Sequence, residues 1–161
     1  DKEVAILYKK NKKIFLKLNK ELPKYIRTFP INKIEITKAI LGNNKNLKKI
    51  IVIVHKEIRK RIKLFLNKNK NKKIIILDVP LLLENDLNKK KDILVFVKSK
   101  KKDIEKRLKK RPLFNKRLIN KFRKIQYSSK YKETKSHFII NNNFTKKSVR
   151  IGIKNILDKI N

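Results

Sequence analysis

The sequence predicts an α/β fold, a parallel sheet flanked by helices, on three observations. Short apolar runs at residues 74–77 (IIIL), 92–97 (DILVFV) and 138–140 (FII) have the length and composition of strands. Between them lie stretches whose apolar residues recur at three- and four-residue intervals, as in helices buried on one face. Strands that alternate with helices form βαβ units, and such units pair their strands in parallel. With 161 residues, the chain fits one domain that can bury roughly two thirds of its unfolded surface.

Residues 2–22 read as a helix in which Val4, Leu7, Tyr8, Ile14, Phe15 and Leu18 make an imperfect apolar face. Pro23 and Pro30 bracket a loop. Asn32 is placed to cap the next helix, Glu35 at the third helical position completes a capping-box pattern, and Gly42 ends the helix among asparagines. Asn46 is placed to cap a helix through Leu47, Ile50, Ile51 and Val54, and the pattern continues from His55 to Leu66. The lysine-rich run 68–73 is a polar turn. Residues 74–77 then read as a strand buried on both faces, because no polar residue interrupts the run. Pro80 stops that strand, and residues 81–83 open a helical turn that carries Glu84.

Residues 92–97 read as a second buried strand, followed by a helix over 101–110 that Pro112 ends. Asn115 is placed to cap a helix through Leu118, Ile119, Phe122 and Ile125, giving a helical hairpin. Residues 138–140 form a short third strand that runs into Asn141, Asn142 and Asn143, and Thr145 caps a last helix ending near Ile160. A sheet of three strands is small for this much helix, so one further strand is expected. The chain contains no methionine and starts at Asp1; it is expected to be a fragment of a longer polypeptide.

The absence of cysteine removes disulfides and thiolate metal sites from consideration and allows a reducing compartment. The longest apolar runs are far too short to span a bilayer. The net charge of +35 suits a nucleic-acid ligand, since cations that neutralise phosphates release counterions. The lysines, however, lie in every segment and are accompanied by many Asn and Ile, the residues of A/T-rich codons. A compositional drift of surface positions to lysine accounts for that spread, with nonspecific, salt-sensitive polyanion binding as its by-product. Few aromatics interleave the basic runs, so base stacking is poorly provided for. The two glycines, Gly42 and Gly152, are isolated, and no G-x-x-x-x-G-K-[ST] phosphate cradle occurs in these residues.

Two sets of residues stand out before any family is considered. Asp78 follows the 74–77 run, at the carboxyl end of the expected strand, where open α/β sheets bind ligands. An unpaired acid at the end of a buried strand is otherwise costly. Of the eight arginines, Arg107, Arg111, Arg117 and Arg123 fall in one short region. Arg107 and Arg111 are spaced i and i+4 on the expected helix, so both can grip one phosphate; a solvated basic face is the competing reading.

Residues 78–85, DVPLLLEN, resemble the D-x-P-L-L-x-E signature of the dephospho-coenzyme A kinase family of P-loop kinases. Other segments agree in order. Residues 53–59, IVHKEIR, resemble the family's I-V-H-P-x-[VI]-R segment. Residues 107–111, RLKKR, resemble its R-L-x-x-R lid, Gln126 matches a glutamine that follows it, and 138–142, FIINN, resemble its closing strand and loop. The resemblance covers essentially the whole chain and departs from the family at Lys56 for proline, Phe122 for arginine and Ser136-His137 for Ala-Asp.

The resemblance implies a P-loop-kinase-like parallel sheet flanked by helices, in one α/β domain over 1–161, with a helical acceptor-side insertion at about 8–70 and a helical lid at about 101–127. It also implies that the first strand and P-loop, roughly one strand–loop–helix unit, lie outside these residues. The implied reaction moves the γ-phosphoryl group of ATP to the ribose 3′-hydroxyl of dephospho-coenzyme A, in the cytoplasm, with Mg²⁺. Asp1 would orient the acceptor hydroxyl, Asp78 would hold Mg²⁺ through water, and Arg107 and Arg111 would close over ATP. His55, Arg59 and Glu84 would face the acceptor, and Asn142 would lie near the adenine. The 161-residue chain by itself is expected to be inactive, and no specific nucleic acid or membrane is expected as a partner. The alternatives are a lysine-rich RNA or polyanion-binding module and a related nucleoside or nucleotide kinase.

Overall fold

The computed structural model describes residues 2–111 and 114–160. Among them are eight α-helices, α1 (Lys2–Lys10), α2 (Lys12–Glu21), α3 (Lys33–Gly42), α4 (Asn44–Lys68), α5 (Lys101–Lys109), α6 (Lys116–Ile125), α7 (Ser129–Thr134) and α8 (Lys146–Ile160). Two strands, β1 (Val95–Lys98) and β2 (Phe138–Asn141), pair in parallel with Val95 opposite Phe138 and Lys98 opposite Asn141. The α/β class and the parallel pairing are as the sequence predicts. The chain divides into two compact units, Asp1–Pro80 with Arg117–Lys121, and Leu81–Lys116 with Phe122–Asn161.

In the first unit α4 packs against α1, α2 and α3. Leu7, Leu18 and Ile26 are fully buried there, with Ile14, Ile36, Ile40, Leu47, Ile50 and Val54 around them. The helix expected over 2–22 is broken at Asn11. Its backbone N–H still donates to Leu7 O, but its side chain turns to accept from Ile14 N at 3.0 Å, so it ends α1 and caps α2. Asn32 caps α3 as expected, accepting from Ile34 N at 2.8 Å. The capping box does not close, because Glu35 Oε1 accepts instead from Arg27 N in the preceding loop.

The cap of α4 is Asn43, not Asn46: the extended backbone of Asn43 lets its side chain accept from Lys45 N. Asn46 falls inside the first turn, is 7% exposed, and donates its amide to Ala39 O at 2.8 Å. The 46–54 and 55–66 patterns belong to this one helix. From α6, Lys121 Nζ donates to Ile40 O at 2.8 Å and Leu41 O at 3.3 Å, where the last turn of α3 leaves carbonyls without helical partners.

Residues 74–79 belong to no helix or strand, and Ile76 is 84% exposed. The expectation of a strand buried on both faces is therefore corrected. A run of isoleucines satisfies the local preference for extended backbone, yet a strand exists only where a neighbour accepts and donates its hydrogen bonds. The sheet of the described residues consists of β1 and β2 alone, so two strands replace the three expected.

In the second unit, α8 packs on β2 and α7 touches β1. Gly152 admits this packing: a Cβ there would meet Ile140 Cγ2 at 2.9 Å. Ile140 is buried, but Ile93, Val95 and Val97 are exposed, so the second strand is shorter and far less buried than its apolar run suggests. Asp92, the expected first strand residue, accepts instead from Lys89 N at 2.8 Å in a turn. His137 Nδ1 accepts from Leu94 N at 2.9 Å and ties the start of β1 to the start of β2. Thr145 caps α8 as expected, its hydroxyl accepting from Ser148 N. Pro112, expected to end the α5 helix, lies outside the described residues.

Candidate functional site

The first unit carries three of the sequence-selected residues. His55 and Arg59 are one turn apart on α4, His55 half-buried and Arg59 exposed. Asp78 stands exposed on the irregular 74–79 segment, so its carboxylate is solvated and is not the buried acid at a strand end that the sequence suggests. Asp1 lies outside the described residues.

The second unit carries Glu84, Arg107, Arg111 and Asn142. Glu84 sits in a 3₁₀ turn, Leu83–Asn85, and its side chain is only 6% exposed. Oε1 accepts from Lys132 Nζ at 2.7 Å and from Tyr127 N at 2.9 Å. Burial by itself pushes this carboxyl up, but Lys132 and the backbone N–H donors outweigh it and hold Glu84 below the usual carboxylate range. Oε2 is buried and has no hydrogen-bond partner among the described residues.

Arg107 lies in the last turn of α5. Arg111 does not continue its face: the helix ends at Lys109, and Arg111 follows in a bend whose N–H reaches Leu108 O. The pairing of the two guanidinium groups on one helix face is therefore corrected, because the chain leaves the helix before the second of them. Arg107 instead places its guanidinium over the ring of Phe144, 4.5 Å from the ring centre. Asn142 belongs to the same group. Its N–H donates to Lys98 O at 2.7 Å, one step beyond the β1–β2 ladder, and its side-chain oxygen accepts from Phe144 N at 2.7 Å. Asn143 Oδ1 accepts from Thr145 N, Thr145 Oγ1 and Ser148 Oγ. The asparagine run is thus a built turn that delivers the chain from β2 into α8.

The structure brings Arg107 and Asn142 together through Phe144, a residue the sequence reading passed over. The available signal was the asparagine run itself, since Asn side chains bond the backbone two residues on and stabilise tight turns. Lys132 and Tyr127 were missed as partners of Glu84, and α7, which carries Lys132, was not predicted. At six residues, with Ser128 capping it through Tyr131 N at 3.1 Å, α7 is too short to display a period.

No group of three or more His, Cys, Asp or Glu side chains is assembled for metal binding among the described residues. Mg²⁺ used with a nucleotide keeps several waters and takes one or two carboxylates plus substrate phosphates. Exposed Asp78 can accept from such a water. No helix of the described residues is long and apolar enough to cross a membrane.

Residues 6–147 match the family model described as dephospho-CoA kinase. A dephospho-CoA kinase of Wolbachia pipientis wMel is 31% identical, with 100% of this chain aligned to 83% of that protein. One from Wolbachia sp. subsp. Brugia malayi (strain TRS) is 29% identical over 96% of this chain and 80% of its own length. One from Bartonella quintana (strain Toulouse) is 26% identical, over 88% of this chain and 73% of its own length.

Proposed function

We propose, because this chain belongs to the dephospho-CoA kinase family, that it serves the transfer of the γ-phosphoryl group of ATP to the ribose 3′-hydroxyl of dephospho-coenzyme A. As a family member it is a phosphotransferase, with ATP as phosphoryl donor. The observation that carries the choice of acceptor is the 78–84 segment, DVPLLLE, in order with 53–59, IVHKEIR. In the reaction the bond from the γ-phosphorus to the β-phosphate oxygen breaks, a bond from the 3′-oxygen forms, and the hydroxyl proton leaves. Such a transfer needs positioning and charge neutralisation more than covalent help from the protein.

Each selected residue has a part in this reading. Asp1 orients the acceptor hydroxyl or takes its proton. Asp78 holds Mg²⁺ through water, and the ion, when bound, neutralises charge on the phosphates. Arg107 and Arg111 bring two cations to the phosphate chain from consecutive turns of backbone and do not need a shared helix face. His55, Arg59 and Glu84 face the acceptor, Glu84 with its Oε1 held by Lys132. Asn142 shapes the loop beside the adenine. The setting is the cytoplasm, where both substrates are at hand, and the dispersed lysines are given no nucleic-acid role.

The 161 residues contain no glycine-rich phosphate cradle, so a polypeptide of these residues alone is expected to transfer nothing. The test is a transfer assay with labelled ATP and three acceptors, dephospho-coenzyme A, adenosine and AMP, on the polypeptide isolated from its source and on the 161-residue chain. Transfer by the former to dephospho-coenzyme A alone is the expected result. Preference for adenosine or AMP would replace the acceptor assignment, and turnover by the 161-residue chain would refute the need for the cradle.

A further inference from the structure

Phe144 is in an unfavourable place for a phenylalanine. Its φ is +65°, a left-handed backbone that costs a bulky side chain energy and is usually left to Gly or Asn. Its ring recovers little of that cost by burial, since the residue is 40% exposed. Asn142 Oδ1 holds the strained amide at 2.7 Å. The ring of Phe144 faces the guanidinium of Arg107. Among the described residues that guanidinium makes no hydrogen bond or ion pair, so its N–H donors remain open. A guanidinium seated on a ring face is held in place without spending the donors that recognise phosphate.

We propose that Phe144 is a positioning residue for Arg107: fixed by the Asn142 turn, its ring seats the guanidinium so that the donors are ordered before an anionic ligand arrives. The ligand is the phosphate chain of a nucleoside triphosphate, and this part rests on the lid role given to Arg107 above. An exposed contact of this kind biases the arginine toward the seated position by roughly 2- to 5-fold, and its loss weakens phosphate binding at Arg107 by the same factor.

The experiment reads Arg107 itself, so that the other cations of this +35 chain do not enter. The Nε–Hε resonance of Arg107, assigned by its disappearance in Arg107→Lys, is followed at elevated salt in the transfer-active polypeptide of the assay above. In the parent protein it should be displaced upfield by the ring current of Phe144. Phe144→Leu should abolish the displacement, Phe144→Tyr should keep it, and Asn142→Ala, which removes the bond to Phe144 N and leaves both side chains of the pair unchanged, should reduce it. Titration with MgATP should move the resonance, with an apparent affinity roughly 2- to 5-fold weaker in Phe144→Leu. A parent resonance that Phe144→Leu leaves unmoved overturns the seat. A seat that is present while MgATP moves the resonance in neither protein overturns the phosphate role, and the lid assignment of Arg107 with it. Equal affinity in the two proteins overturns the positioning role and leaves the lid assignment standing.

Discussion

Replacing Lys132 by methionine separates a buried ion pair from the surface pairs of this chain. Glu84 is 6% exposed and Lys132 24%, with 2.7 Å between their charged atoms. The Lys49–Glu21 pair has similar chemistry at 3.0 Å, but its partners are 46% and 47% exposed. Without Lys132 the Glu84 carboxylate stays buried with backbone N–H donors alone, Tyr127 N among them, and an Oε2 that already lacks a partner among the described residues. A lost hydrogen bond to a charged group is worth about 1.5–3 kcal/mol, so Lys132→Met should cost about 2 kcal/mol near neutral pH. Lys49→Met should cost no more than about 0.5 kcal/mol, as exposed pairs do.

The pH dependence supplies a second mark. Glu84 is depressed from an ordinary value of 4.5, so in the parent protein it adds stability above that value, and the contribution is lost as pH falls through the folded-state value. In Lys132→Met the cation is gone and burial remains, which favours the protonated acid. The deficit of the variant should therefore shrink as the pH is lowered. Urea unfolding followed by tyrosine fluorescence suits the measurement: the chain has no tryptophan and four tyrosines, and the rings of Tyr127 and Tyr131 lie 4.7 Å apart beside the pair. A loss equal to that of Lys49→Met, or a deficit unchanged across the acid range, would refute the reasoning.

Three further outcomes follow from the structure. Burial pushes the Tyr8 hydroxyl up to about 12, so the folded state keeps a proton that the unfolded chain loses from 10 upward; stability should fall between those values by about 2–3 kcal/mol, and Tyr8→Phe should remove that slope in alkaline denaturation curves. Gly152→Ala gains helix propensity of about 1 kcal/mol but drives a methyl to 2.9 Å from buried Ile140 Cγ2, and overpacking of about 1–3 kcal/mol should win; a higher melting temperature would show that α8 can shift. Asp78→Ala and Arg107→Ala should each lower transfer in the active polypeptide by at least about 10²-fold, with unchanged circular dichroism; full turnover in either variant would remove that residue's role.

The features legible in the sequence are those decided within a few residues. Asn32 and Thr145 cap helices where the pattern places them, because a cap needs only its own side chain and the next turn. Asn43 and Asn46 compete for one helix start, and the choice rests on Asn46 finding the carbonyl of Ala39 in another helix, which no local rule contains. The 74–77 run failed as a strand for the same reason on a larger scale, since pairing is settled by a neighbour and not by isoleucine content. The sequence singled out Asp78, Glu84, Arg107 and Asn142 as candidates, but the contacts of Lys132 with Glu84 and of Phe144 with Arg107 are made between segments far apart in the chain. Lysine is so common here that no single lysine could be singled out from sequence.

Lys121 shows a different side of that lysine excess. Its ammonium rests on the main-chain oxygens of Ile40 and Leu41, and every amino acid supplies such an oxygen. Substitutions at 40 or 41 that keep the helix leave this contact intact, so the contact depends on one codon where a side-chain ion pair would depend on two. In a genome that drifts toward lysine, a fastening of this kind is hard to mutate away and can arise wherever a lysine lands near the end of a helix.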